Sequence, residues 1–255
     1  MGKDLITLKA KSFINRILLK LTGFYLTRSY SAQGDQRLSL EEKNIISKVK
    51  DRTMTNSNSI SNLIQATRYI LKSGIDGAFV ECGVWRGGSA MAFCYSALAY
   101  GQVDREIYLM DTFAGYTKVT DKDFQISNGQ KASELFNLDA NYICQASLED
   151  VKLGIRETNY PSEKVFYLVG DIIQSSLSLL PDKIAILRLD TDYYESTLWS
   201  LENLYPLVPK GGIIIIDDYD YWNGCREACD EFFSKKNDIN LMIHMEYGRM
   251  LIKND

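Results

Sequence analysis

The chain has 255 residues, 45% of them hydrophobic and 24% charged, with a formal net charge of −4. Such a length and composition suit a soluble globular protein, either one large domain or a domain with an appendage, able to bury a sizeable core. The acidic balance argues against a nucleic-acid partner, which needs a basic patch, and the single histidine, His244, argues against His-rich zinc sites and a Ser-His-Asp triad.

In chain order, the N-terminal "KSFINRILLKLTGFYLTRSY" is basic and amphipathic and lacks a signal-peptide core and cleavage site. It suits a membrane surface or, as is more common, packing on its own domain or on a partner subunit of a homo-oligomer. No apolar run reaches the roughly 18 to 20 residues of a membrane span. Residues 1–55, with a polar hinge "SYSAQGDQRLSLEEK", read as a helical appendage or lid, and 56–255 as the main domain. From Ser59 to Ser73, Ile60, Leu63, Ile64, Thr67, Ile70 and Leu71 fall on one helical face.

Five short apolar runs follow, each ending in an acid: "GAFVE" at Glu81, "EIYLMD" at Asp111, "VFYLVGD" at Asp171, "AILRLD" at Asp190 and "GIIIID" at Asp217. Continuous apolarity means strands buried on both faces, as in a parallel sheet covered by helices. The 30 residues from Glu81 to Asp111 and the 27 from Asp190 to Asp217 suit strand–helix–strand units. The expected fold is therefore a doubly wound α/β sheet with its acids along the carboxyl edge, where such folds bind ligands. Between Asp111 and Asp171, "AGYTKVTDKDFQISNGQKASELFNL" is polar and irregular and reads as a lid or substrate loop, and Ser147 reads as the N-cap of the next helix. The C-terminal "INLMIHMEYGRMLIKN" reads as two strands turning at Gly248. The cysteines, at 82, 94, 144, 225 and 229, form no C-x-x-C pair and read as reduced thiols of a cytoplasmic protein, with Cys225 and Cys229 facing the core.

"ECGVWRGGS" joins the first strand to a helix. Gly83, Gly87 and Gly88 let backbone approach a ligand, and the amides at the helix start, by Ser89, suit a carboxylate or phosphate. The spacing is not the G-x-G-x-x-G of a nicotinamide dinucleotide site. Asp111, ending the second strand, stands where a carboxylate binds ribose hydroxyls. Asp171 either contacts the base or caps the next turn. "IIIIDDYD" poses a sharper question, because two adjacent aspartates, if they converge at about 4 Å, repel by roughly 4 kcal/mol at an effective dielectric of about 20. Were the fourth and fifth strands neighbours, Asp190 would join Asp217 and Asp218, and three carboxylates with waters make a hard-ion site suited to Mg²⁺. Separate solvated caps are the alternative.

Together "ECGVWRGGSAMAF", "LMDTFAGY", "LRLDTDYYESTLWSLENLYPLVPKGGIIIIDDY" and "GCREACDEF" resemble the macrocin O-methyltransferase (TylF-type) family of sugar methyltransferases, over roughly residues 50 to 235. The resemblance implies the class I, Rossmann-like S-adenosylmethionine-dependent fold, with a mostly parallel seven-stranded sheet whose last strand is antiparallel. It also implies Mg²⁺-dependent methylation of a sugar hydroxyl, on a deoxysugar of a natural product or on a polysaccharide precursor. Carried over by motif, Glu81 and Gly83 lie against the methionine part of the cofactor, Asp111 on its ribose, and Asp190, Asp217 and Asp218 on the metal, with Asp190 the general base. Met54, in "RTMT", and Tyr194 fall at the substrate. Two departures stand out: Cys82 where the family has Thr, and Thr191 where it has Gly, which narrows the floor of the acceptor site. Two rivals remain. One is a glycosyltransferase holding a metal with the D-x-D of Asp190 and Asp192, which leaves the glycine turn unexplained; the other is a non-catalytic binding protein, which the complete acid set argues against.

Overall fold

Apolar runs buried on both faces fold as the inner strands of a covered sheet. The computed structural model describes residues 38–116, 118–138, 144–236 and 241–254; the basic stretch at 11–30 and most of the polar hinge lie outside them. The strands are β1 (Ala78–Cys82), β2 (Ile107–Asp111), β3 (Val165–Val169), β4 (Ile184–Leu189), β5 (Ile213–Ile216), β6 (Met242–His244) and β7 (Arg249–Ile252). The helices are α1 (Leu40–Val49), α2 (Ser57–Ser73), α3 (Gly88–Ala99), α4 (Ala132–Leu138), α5 (Leu148–Glu157), α6 (Tyr194–Leu204) and α7 (Asn223–Ser234).

The seven strands run in the order β3-β2-β1-β4-β5-β7-β6, with β1 to β5 parallel and β7 antiparallel to both its neighbours. This is the Rossmann-like class I methyltransferase sheet, including its antiparallel last strand. Chain order reverses between β1 and β4, so the crevice at their carboxyl ends is the topological switch point.

The four isoleucines of β5 show why its run is unbroken. Ile213 and Ile215 face the layer of α1, α2, α3 and α5, while Ile214 and Ile216 face α6 and α7. None is more than 3% exposed, and each contributes about 1.5–3 kcal/mol of burial. Cys225 and Cys229 face the same core as Ile214. Helix α2 starts two residues before its apolar stripe suggests, because the Asn56 side chain accepts from the Asn58 and Ser59 amides, both at 2.9 Å. Ile45 and Val49 of α1 join the core under α2. The compact unit thus runs from Leu40 to Asp255 and takes in residues 40–55, which the sequence grouped with the appendage.

Candidate active site

A cavity of about 570 Å³ opens at the carboxyl ends of β1 and β4. Its floor is where two loops touch backbone to backbone. Gly83 has φ +82°, and a Cβ there would lie 2.0 Å from the Asp190 carbonyl oxygen, so only glycine fits. Residues 52–56 cross above the start of α3; a Cβ on Gly88 would lie 2.5 Å from the Arg52 carbonyl oxygen. Arg52 anchors that strap through Asp150, 3.2 Å away, which also pairs with Arg86 at 2.9 Å.

The half of the cavity over β1 and β2 is built from backbone amides. The Asp111 carboxylate accepts from the Val84 amide at 2.6 Å and the Trp85 amide at 3.1 Å on one oxygen, and from the Phe113 amide at 2.8 Å on the other. This fixes the glycine turn against the end of β2. Gly83, Ser89, Asp111 and Asp171 line the cavity. Asp171 also caps a short turn, accepting from the Ile173 amide at 3.2 Å. Gly87, in the left-handed region, instead starts α3 and does not line the cavity. Glu81 also stays out of the cavity. It is 1% exposed, because strand alternation turns its side chain under the sheet edge, where Oε1 accepts from Arg188 Nη1 at 2.6 Å.

The half over β4 and β5 is built from carboxylates. β4 and β5 are neighbours, with Leu189 opposite Ile216, so Asp190 meets Asp217 and Asp218. Alternation sends the two adjacent aspartates apart. Asp217 continues the Ile215 face and pairs with Arg188 Nη2 at 2.9 Å, while Asp218 continues the Ile216 face toward Asp192. Ligand oxygens of Asp190, Asp192 and Asp218 lie within 4.8 Å of one another. Asp192 is held in the left-handed region, φ +62°, and accepts from the Tyr116 hydroxyl.

Burial pushes the Asp192 carboxyl up to about 6 and, against the pull of Arg188, Asp217 up to about 7. Burial, with the charge of Asp192, raises Asp218 well above the usual range, and burial raises Asp190. Asp218 Oδ2 is buried with no hydrogen-bond partner. Two of these four acids, Asp190 and Asp217, pair with the Arg188 guanidinium, the Oδ2 of Asp218 is orphaned, and every donor is a hard oxygen. A dication such as Mg²⁺ fits that set.

Met54, Tyr116, Tyr193, Tyr221, Trp222 and Tyr247 form an apolar and aromatic wall beside the acids. Tyr193 packs on Tyr116 and Trp222, with ring centroids 4.8 and 5.2 Å away. Met54 is 65% exposed on this wall, whereas Tyr194 does not line it. The hydroxyl of Tyr194 donates to Glu231, and its amide donates to Asp123 at 2.8 Å. Asp123 is buried and ties the expected lid to the start of α6, and that segment contains α4 rather than being irregular throughout. Thr191 lines the cavity with its hydroxyl 3.3 Å from that of Thr197. Sequence reading gave Arg188, Thr55 and Asp123 no role and weighed Asp192 only within a rival pattern. A signal existed for the first, since "AILRLD" places one charge inside an apolar run.

The model of the macrocin-O-methyltransferase (TylF) family matches residues 25–247. The chain is 33% identical over 184 residues to demethyldecarbamoylnovobiocin O-methyltransferase of Streptomyces niveus, covering 72% of this chain and 68% of that one. It is 31% identical over 183 residues to mycinamicin III 3''-O-methyltransferase of Micromonospora griseorubida, covering 71% and 69%. Among solved structures, the O-methyltransferase NovP has a TM-score of 0.70 at 29% identity, covering 80% of this chain and 83% of that one. A calicheamicin methyltransferase, at 17% identity, shares the fold with a TM-score of 0.61 over 92% of this chain and 97% of its own.

Proposed function

Because this chain belongs to the macrocin O-methyltransferase (TylF) family and is an O-methyltransferase, we propose that it moves a methyl group from S-adenosylmethionine to a sugar hydroxyl, with Mg²⁺ held by Asp190, Asp217 and Asp218. The acceptor is a sugar of a natural product or of a polysaccharide precursor, in keeping with the antibiotic substrates named for its relatives. The observation that carries the metal-assisted part is the carboxylate cluster of Asp190, Asp192 and Asp218, which lines the cavity with one buried oxygen unpartnered, while Asp217 stands beside it on Arg188. Five unpaired cysteines support a reducing, cytoplasmic setting, and no helix among the described residues is long and apolar enough to cross a membrane.

Methyl transfer from a sulfonium needs an oxygen nucleophile in line with the S–CH₃ bond and relieved of its proton. Asp190 takes that proton as the O–CH₃ bond forms and the S–CH₃ bond breaks, leaving the neutral thioether of S-adenosylhomocysteine. A dication, when bound, lowers the pKa of a coordinated hydroxyl. The glycine turn and Asp111 hold the adenosine and methionine ends, and the aromatic wall orients the sugar and what it is attached to. Asp190 and Asp192, spaced as in a metal-dependent glycosyltransferase, here serve one acid cluster with Asp218.

The test is transfer of isotope-labelled methyl to a panel of glycosides, with Mg²⁺ and with excess chelator. Labelled product that depends on Mg²⁺ supports the reading. Methylation of a sugar-free phenol alone, or full transfer in chelator, overturns its acceptor or its metal part respectively.

A further inference from the structure

β4 carries a charge in a place where a leucine would fit. Arg188 is 2% exposed, and its cross-strand partner in register is Glu81, itself 1% exposed. Neither lines the cavity. Burying an ion pair under a sheet edge gains little stability over an apolar pair of similar volume, so the pair calls for another reason. The contacts supply one. Nη1 donates to Glu81 at 2.6 Å and to Asp190 Oδ2 at 2.8 Å, while Nη2 reaches Asp217 Oδ2 at 2.9 Å and the Thr55 hydroxyl at 2.9 Å. One planar fork thus joins β1, the ends of β4 and β5, and the strap over the cavity. It engages one oxygen of Asp190 and one of Asp217.

Resting on the reading that Asp190 accepts the proton, we propose that Arg188, braced by Glu81, is a positioning residue that sets which carboxylate oxygens of Asp190 and Asp217 face the acceptor. Its work is geometric: the guanidinium spans three carboxylates and a hydroxyl at once, which a lysine ammonium on a flexible stem does not.

The experiment uses the full chain and Arg188→Lys, Arg188→Met and Glu81→Gln. It measures kcat and acceptor KM on a glycoside the parent methylates, S-adenosylhomocysteine affinity by calorimetry, and Mn²⁺ affinity by calorimetry or spin resonance. Arg188→Lys should lose about 100-fold in kcat and Glu81→Gln about tenfold, with KM and S-adenosylhomocysteine affinity held within about threefold, because only the reacting geometry is disturbed. The Mn²⁺ arm separates position from charge. Arg188→Met removes a positive charge beside the acids, so an effect of charge alone tightens Mn²⁺, whereas misplaced carboxylates bind it about tenfold more weakly.

A folded Arg188→Lys with the parent's kcat, a loss confined to KM, or tighter Mn²⁺ binding by Arg188→Met overturns the assignment. Where the Arg188 variants do not fold, parental kcat in Glu81→Gln overturns it. A parent that binds S-adenosylhomocysteine but methylates no glycoside contradicts the proposed acceptor instead, and the Mn²⁺ arm still tests Arg188. A parent that binds no Mn²⁺ contradicts the metal part, and the kcat arm remains.

Discussion

At the ends of β1 and β2, one carboxylate and three backbone amides satisfy each other; at the ends of β4 and β5, four carboxylates gather and two of them, Asp190 and Asp217, share the guanidinium of Arg188. The first region is complete as folded. The second is short of positive charge, with a buried oxygen left over. Under the proposed function, two chemistries are therefore separable within one cavity: donor binding that needs no metal, and activation of the acceptor hydroxyl that does.

The largest effect that would break this contrast is at Asp190. Asp190→Asn should lower kcat by about 1,000-fold, as expected when a proton acceptor is removed, with S-adenosylhomocysteine affinity unchanged. A matching loss of affinity would mean that the halves are not separate. Next come Asp217→Asn and Asp218→Asn, which remove charge but keep shape. Each should lower turnover by about 100-fold at low Mg²⁺ and recover in part with excess Mg²⁺, while Asp190→Asn should not recover. On the other side, Asp111→Ala should weaken cofactor binding by about 1.5–3 kcal/mol, as loss of hydrogen bonds to a charged acceptor implies. Its kcat at saturating cofactor should stay near that of the parent.

The smallest effect is on stability against pH. The folded-state carboxyls of Asp192 and Asp217 sit at about 6 and about 7, above the unfolded value of about 4. In that interval the folded state binds more protons than the unfolded one. The stability these groups contribute is present below about pH 4 and is lost as pH rises through 6 and 7. Asp150 and Asp220, held below the usual range by arginine partners, act oppositely, but only in more acidic solution. Metal-free protein should therefore melt lower at pH 8 than at pH 5, by roughly 2–4 °C per kcal/mol lost in a chain of this size. Saturating Mg²⁺ should close that gap. A melting temperature that rises from pH 5 to pH 8 without metal would contradict the charge imbalance.

Sequence alone carried the sheet well, because strands covered on both faces leave unbroken apolar runs and each run ended in an acid that marks the carboxyl edge. The exception is β3, an edge strand whose run reads as buried but which leaves Phe166 and Val169 exposed. Even the meeting of Asp190 with Asp217 and Asp218 follows once two parallel strands are taken as neighbours. Side-chain direction was less accessible. Glu81 ends its run like the other acids, yet alternation turns it beneath the floor, where only the register with Arg188 explains it. Tyr193 and Tyr194 are chemically alike, and the turn before α6 alone decides which faces the cavity. Asp192 joins the cluster because its backbone adopts φ +62°, a local conformation that no spacing announces. Asp123 caps α6 from 71 residues away, a contact only the folded chain creates.

The most direct measurement of the separation between donor and acceptor chemistry takes one preparation of the parent through two titrations, S-adenosylhomocysteine binding by calorimetry and labelled-methyl turnover, each with Mg²⁺ and with excess chelator. Equal binding in both buffers, with turnover only where Mg²⁺ is present, is the predicted result. Full turnover in chelator, or binding that vanishes with the metal, would contradict it.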